Sequence, residues 1–368
     1  MNYKLNKPCS DLIALSLIPN LGARRLKLLL DKVRLTEEIF DMPLIQLQEI
    51  LGAKIKGVEK VKTIRGSKEY TEEMDYIEKH KIEPICILDK AYPKALNEIY
   101  DPPVVLYGKG GLVAKDVNAV AIVGSRRCSV YGLQMAEKLG FELAQKGVTI
   151  VSGMARGIDQ AAAKGALKAG GRTIAVIGSG FKHIYPAGSE ELVQKISGSG
   201  AVFTEYSSNT MPSKITFPRR NRIISGMAKG VVVVEAAKRS GAMITVKSAL
   251  EQARDVFAVP GRADSFFSKG TNVLIQKGAK LVMEAEDILE ELRLEPVESV
   301  PSENKTGFVL DDMDQKILNI LKEKKSVQIE QFLENSDISL KTLPKILLKL
   351  QINGLIEESA GKNYALRQ

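Results

Sequence analysis

Three short apolar runs, at residues 119–123, 148–151 and 173–177, each end in a glycine-rich turn, and a helix-sized stretch separates each from the next. No other feature constrains the chain as strongly. Runs of strand length that stay apolar throughout belong to a parallel sheet buried on both faces, because inside–outside alternation arises only where one face meets water. Parallel neighbours need a crossover. Residues 133–145 and 158–169 provide it as helices that stop at Gly147 and at Gly170 and Gly171. Further strands are expected at 201–204, 231–234 and 256–259. The fold class is therefore α/β, with a parallel sheet buried on both faces. Its glycine turns fall at the C-terminal ends of the strands, the rim where open α/β sheets place ligands.

At 368 residues the chain is long for one domain. Residues 1–70 read as an N-terminal helical domain. Ser10 is the expected N-cap of its first helix, and a Pro19–Asn20–Leu21–Gly22 turn leads into a second helix carrying Arg24, Arg25 and Lys27. This has the form of a helix-hairpin-helix, although a plain packing hairpin is the preferred reading because such turns are common connectors. The sheet domain covers 71–290, with additional strands at 82–88 and 104–108. An acidic linker follows at 291–312. Residues 313–368 show a helix–helix–helix–hairpin pattern that fits a winged helix, with turns at Asn353–Gly354 and 360–363.

The net charge of +9 is unevenly placed: residues 119–280 are strongly cationic and 281–312 strongly acidic. A concentrated cationic block fits a polyanion partner, and it also fits a solvated surface. No run approaches the ~18–20 apolar residues of a membrane helix, and the first residues lack the apolar segment of a secretory signal. Cys9, Cys86 and Cys128 lie far apart with no paired spacing. With only two histidines, a structural zinc site is not expected, and the compartment reads as a reducing cytoplasm with no membrane partner.

The turns decide among ligand classes. A dinucleotide site wants GxGxxG after the first strand and an acid closing the second. Here the first turn is Gly124–Ser125–Arg126–Arg127 and the second strand closes at Ser152, so both requirements fail. A phosphate-binding GxxxxGK[ST] loop is also missing from the strand ends. Anion chemistry remains. Amides of the Gly124–Ser125 turn can wrap a phosphate oxygen, and Arg126 adds a forked donor. Gly153, Arg156 and Gly157 repeat the arrangement on the next strand, with Asp159 read as stabilising a helix N-terminus.

Residues 211–226 hold Lys214, Phe217, Arg219, Arg220, Asn221 and Arg222 beside Pro218. An aromatic among several cations suits single-stranded nucleic acid, with the ring stacking a base and the cations holding phosphates. Catalytic groupings are weak. His183 has no evident nucleophile partner, and Asp159, Glu205 and Glu235 stand singly at three strand ends. No catalytic constellation is persuasive.

The runs AIVGSRR (121–127), VSGMARGID (151–159), IAVIGSGFKHIYPAGSEEL (174–192), FPRRNRIISGMAKGVVVVEAAKRSGAMIT (217–245) and DVFAVPGRADSFFSKGTNVLIQKGAKLV (255–282) resemble the DNA-processing protein A (DprA, also Smf) family across about 85–285. The flanks resemble its N-terminal SAM-like or helix-hairpin-helix domain and its C-terminal winged helix. The resemblance implies an extended Rossmann-like parallel sheet core and a single-stranded DNA-binding protein of natural transformation, with no enzyme activity. Such a protein protects incoming strands, loads RecA recombinase for homologous recombination and dimerises through the Rossmann domain, without a cofactor. It also implies that Arg126, Lys214 and Phe217 line the DNA pocket. Ala253 and the run Ser240–Gly241–Ala242–Met243 depart from the family pattern but conserve size. The alternative is a nucleotide-processing hydrolase of the lysine-decarboxylase-like Rossmann group. Its PGGxGTxxE motif would fall at 235–245, where the double glycine and the downstream acid are missing.

Overall fold

The apolar runs become short strands because Val, Ile and Ala stack cleanly on a pleated surface covered from both sides. The computed structural model describes residues 5–52, 55–294, 311–324, 326–334, 342–352, 355–359 and 363–366. Nine strands form one sheet: β1 (Glu83–Cys86), β2 (Val105–Gly110), β3 (Ala119–Val123), β4 (Thr149–Ser152), β5 (Thr173–Val176), β6 (Ala201–Thr204), β7 (Gly230–Val233), β8 (Asp255–Ala258) and β9 (Lys280–Leu281). Their spatial order is β1-β2-β6-β5-β4-β3-β7-β8-β9. The run from β6 to β9 is parallel, while β2 pairs antiparallel with both β1 and β6.

Among the described residues thirteen α-helices accompany this sheet. The N-terminal ones are α1 (Lys7–Ser16), α2 (Ala23–Leu30), α3 (Glu38–Asp41), α4 (Leu44–Leu51), α5 (Lys68–Lys79) and α6 (Lys94–Asn97). The crossovers are α7 (Val130–Gln145), α8 (Ile158–Lys168), α9 (Glu190–Ser199), α10 (Thr216–Gly226), α11 (Ala242–Glu251) and α12 (Lys269–Gln276), and α13 (Ala285–Glu291) follows the last strand. One face of the sheet packs Val120, Ile122 and Val232 against Leu139 and Leu143 of α7 and Ala162 of α8. The other face packs Ala121, Val231 and Val233 against Ile223 and Ile224 of α10 and Val246 of α11. Each such Val, Leu or Ile contributes about 1.5–3 kcal/mol on burial.

The first helix is capped by Asn6, not Ser10. The Asn6 side chain accepts from the Cys9 amide at 2.8 Å, and Pro8 fits the first turn, where its missing N–H costs nothing. Ser10 lies inside the helix, donating to the Lys7 carbonyl. The boundary expected at residue 70 falls within α5. Leu12, Leu15 and Leu26 share one core with Val105 and Tyr107 of β2. Glu73 of α5 is buried and accepts from the Ser208 amide and hydroxyl beyond β6.

Described residues from 311 onward form a separate unit. It holds α14 (Asp312–Lys324), β10 (Ser326–Gln328), α15 (Ile329–Glu334), α16 (Leu343–Ile352), β11 (Ile356–Ser359) and β12 (Asn363–Leu366), with the sheet in the order β10-β12-β11 around Ile317, Leu321, Phe332 and Leu347. Where the helix–helix–helix–hairpin pattern expects its second helix, the short strand β10 precedes α15. The turn signals at 353–354 and 360–362, and most of the linker at 291–312, lie outside the described residues. Among the described residues no helix is long and apolar enough to cross a membrane.

Candidate nucleic-acid interface

From β3 the chain steps outward through β4 and β5 to β6, then returns so that β7 lies on the other side of β3. This reversal opens a crevice beyond the strand ends, the usual ligand position in open α/β sheets. Its two loops are joined directly: the Ser125 amide donates to the Glu235 carbonyl at 2.8 Å. A cleft of about 780 Å³ occupies the crevice. Gly124, Ser125 and Arg126 form one wall, residues from Ala237 to Thr245 another, and Lys214, Phe217, Arg220 and Asn221 of the α10 region a third.

Phe217 is half-buried at the cleft wall. The Arg126 guanidinium sits 4.8 Å from the ring centroid, and the Tyr185 ring lies 5.3 Å away at 47°. Arg126 is also 5.9 Å from the Tyr185 ring. The ring leans on Gly178, where a Cβ would come within 2.8 Å of Phe217 Cδ1, so glycine at the end of β5 sets how deeply the ring can settle. Tyr185, 41% exposed, completes the platform. Sequence reasoning weighed its neighbour His183 and passed over Tyr185. The only local signal was an aromatic beside a proline just beyond a glycine turn.

Beneath this platform lies a charged floor. Arg220 is 4% exposed, and its Nη1 donates to the carbonyls of Gly153, at 2.6 Å, and of Val176. A Cβ at residue 153 would collide with that guanidinium, so Gly153 makes room for an arginine and not for a ligand. Asp159 accepts from the amides of Gly153 and Ala155 at 3.1 and 3.3 Å, which closes the turn after β4. Burial pushes the Asp159 carboxyl above the usual carboxylate range, and the Arg220 charge and these amides pull it back. Burial draws Arg220 down to about 10, still well above neutrality, so it stays charged.

The remaining predicted residues divide between this cleft and its surroundings. Gly157, at φ +84°, packs against the Ser125 carbonyl, and a Cβ at Gly124 would come within 2.6 Å of Ile158. Both glycines thus hold the first two turns together. Arg126, Lys214, Phe217 and Asn221 line the cleft. Arg156 instead lines a neighbouring hollow between α8 and α9, with Lys164 and Lys195. Arg219 and Arg222 lie on the opposite side of α10. Arg222 pairs with Asp101 at 3.0 Å and with Glu205.

The three rim carboxylates do not converge. Asp159 holds the β4 turn and Glu205 holds Arg222. Glu235 accepts from the Ser129 amide at 2.8 Å and hydroxyl at 2.6 Å, so it anchors the residue that caps α7. Glu235 also occupies the place where the hydrolase motif would begin, and there it serves a helix start. Among the described residues the grouped potential metal ligands are Cys9, Cys86 and Asp89. Asp89 is already engaged by the Asn6 side chain and the Cys86 amide, each at 2.8 Å, in hydrogen bonds that tie α1 to the end of β1.

A family model described as DNA recombination-mediator protein A matches residues 83–293. The chain is 46% identical over 211 residues to the DNA processing protein DprA of Streptococcus pneumoniae, covering 57% of this chain and 74% of that one. It is 31% identical over 393 residues to the protein Smf of Synechocystis sp., covering 96% and 98%. Among solved structures, DNA processing protein A from Streptococcus pneumoniae superposes with a TM-score of 0.65 at 38% identity, over 78% of this chain and 98% of that one. DNA processing protein A from Helicobacter pylori, described with a single-stranded DNA binding mode, superposes at 0.51 and 32% identity, over 57% and 96%.

Proposed function

The chain belongs to the DNA recombination-mediator protein A family, and from that premise we propose that it binds single-stranded DNA in the switch-point cleft. Its work is the protection of incoming strands in natural transformation and the loading of RecA recombinase for homologous recombination. It acts as a homodimer joined through the sheet domain, in the cytoplasm, without a cofactor and without catalytic turnover. One observation carries the reading: a half-exposed Phe217 ring held between Tyr185 and Arg126, with Lys214 on the same cleft wall. An aromatic face can stack any base, and the cations neutralise the phosphates on either side of it.

Fluorescence anisotropy with labelled oligo-dT and a duplex of equal length tests the reading. Tight binding to the single strand, weak binding to the duplex, and a loss of roughly 1–3 kcal/mol in Phe217→Ala are expected. Equal affinity for both forms, or an unaltered Phe217→Ala, would refute it.

A further inference from the structure

Helix α10 separates two clefts. Phe217, Arg220, Asn221 and Ile224, spaced as one helical face, line the switch-point cleft. Arg219 and Arg222, one turn apart, line a second cleft of about 860 Å³ on the other side. The far wall of this second cleft is the turn between α1 and α2, residues 18–23, with Arg24 and Arg25 just beyond it.

The second cleft repeats the chemistry of the first. The Arg24 guanidinium lies 5.2 Å from the centroid of the Tyr100 ring, and Tyr100 is 74% exposed beside the cleft-lining Asp101. Two acids border the space, Asp101 and Glu205, and both pair with Arg222. Arg24, Arg25 and Arg219 then have no ion-pair partner among the described residues. Arg25 is steadied by donating to the Asn20 carbonyl at 2.7 Å, which leaves its charge uncompensated. At the cleft floor Arg222 Nη1 and Glu205 Oε1 are buried without a hydrogen-bond partner, as polar groups are where a small polar bridge belongs.

We propose that the single strand stacked on Phe217 continues across α10 into this second cleft. There Arg219 and Arg24 hold its phosphates and Tyr100 stacks a further base. The N-terminal hairpin thereby becomes part of the DNA path. This extends the function proposed above and rests on it.

The test is the length dependence of binding. Arg24 and Tyr100 are both exposed, so the double variant Arg24→Ala, Tyr100→Ala keeps the wild-type melting temperature. Oligo-dT of about 6 nucleotides fits within a single cleft, and about 20 spans both, by the usual site sizes of single-strand binders. The double variant is expected to bind the longer strand roughly 5–150-fold more weakly, the equivalent of one lost stack. Its log–log salt slope should fall by about 0.7 for one lost phosphate contact. Binding of the short strand is unchanged, and Tyr100→Phe binds both as wild type does. An equal loss at both lengths, or none at either, would overturn the second cleft. Phe217→Ala separates the two failures. If it weakens both lengths while the double variant weakens neither, only the second cleft falls. If it weakens neither, the switch-point cleft falls as well.

Discussion

Arg220→Ala should unfold the sheet unit more readily instead of merely weakening DNA binding, although Arg220 lies one residue from the exposed Arg219. The guanidinium is buried, joins the ends of β4 and β5 through the Gly153 and Val176 carbonyls, and offsets the charge of buried Asp159. Removing it leaves two carbonyls short of a donor and a carboxylate without its countercharge. Two buried acceptors left unsatisfied at about 1–3 kcal/mol each come to about 2–6 kcal/mol. At about 2–4 °C per kcal/mol, the melting temperature should drop by ~4–24 °C. Circular dichroism melts at neutral pH read this directly, with Arg219→Ala as a control that stays within about 0.5 kcal/mol of wild type. Asp159→Asn added to Arg220→Ala should restore part of the loss, because it removes the stranded charge.

The pH dependence has a definite sign. The native Asp159 carboxyl lies above its ordinary value, so the folded state holds that proton more tightly than the unfolded chain does. The contribution of this group to stability therefore falls as pH rises from about 3.9 through the native value. Arg220 is one of the influences lowering that native value, so its removal extends the window upward. The deficit of Arg220→Ala should accordingly be smaller near pH 4 than near pH 7. An Arg220→Ala protein that melts with wild type yet fails to bind DNA would refute this reasoning and return Arg220 to the set of direct contacts.

Three further outcomes follow from the same geometry. Gly178→Ala should push the Phe217 ring out of its seat and weaken single-strand binding several-fold in anisotropy titrations, with little change in melting temperature, because the new Cβ meets a ring with solvent on one side. Arg126→Ala should weaken binding and lower the log–log salt slope by about 0.7, one phosphate contact on a single strand; a variant with the wild-type slope would remove Arg126 from the backbone contacts. Glu235→Ala should destabilise the fold by about 1–3 kcal/mol in denaturant melts, since the Ser129 amide and hydroxyl lose their acceptor at the start of α7.

The strands at 119–123 and 201–204 were legible to the residue, because apolar runs bounded by glycine or polar turns leave little freedom in where a strand stops. The crossovers and the placement of the rim followed from the same pattern. Lys214 and Phe217 stood out together in one cationic segment, the family resemblance joined Arg126 to them, and all three line the same cleft. The separation of Arg219 from Arg220 was not legible. Both are arginines in one helical turn with the same neighbours in sequence, and only the strands beneath α10 make one a solvent-facing cation and the other a buried brace. Tyr185 and Tyr100 were passed over because their partners, Phe217 with Arg126 and Arg24, are distant in sequence.

Periodicity, glycine punctuation and the grouping of cations thus determined that this chain forms a parallel α/β sheet with an anion-suited rim, because those are local signals and the backbone answers to them locally. The return of β7 beside β3, the antiparallel edge made by β1 and β2, and the two faces of α10 were decided by tertiary packing. Which side chains meet across a sheet depends on strand order, and strand order is settled by the burial of whole faces.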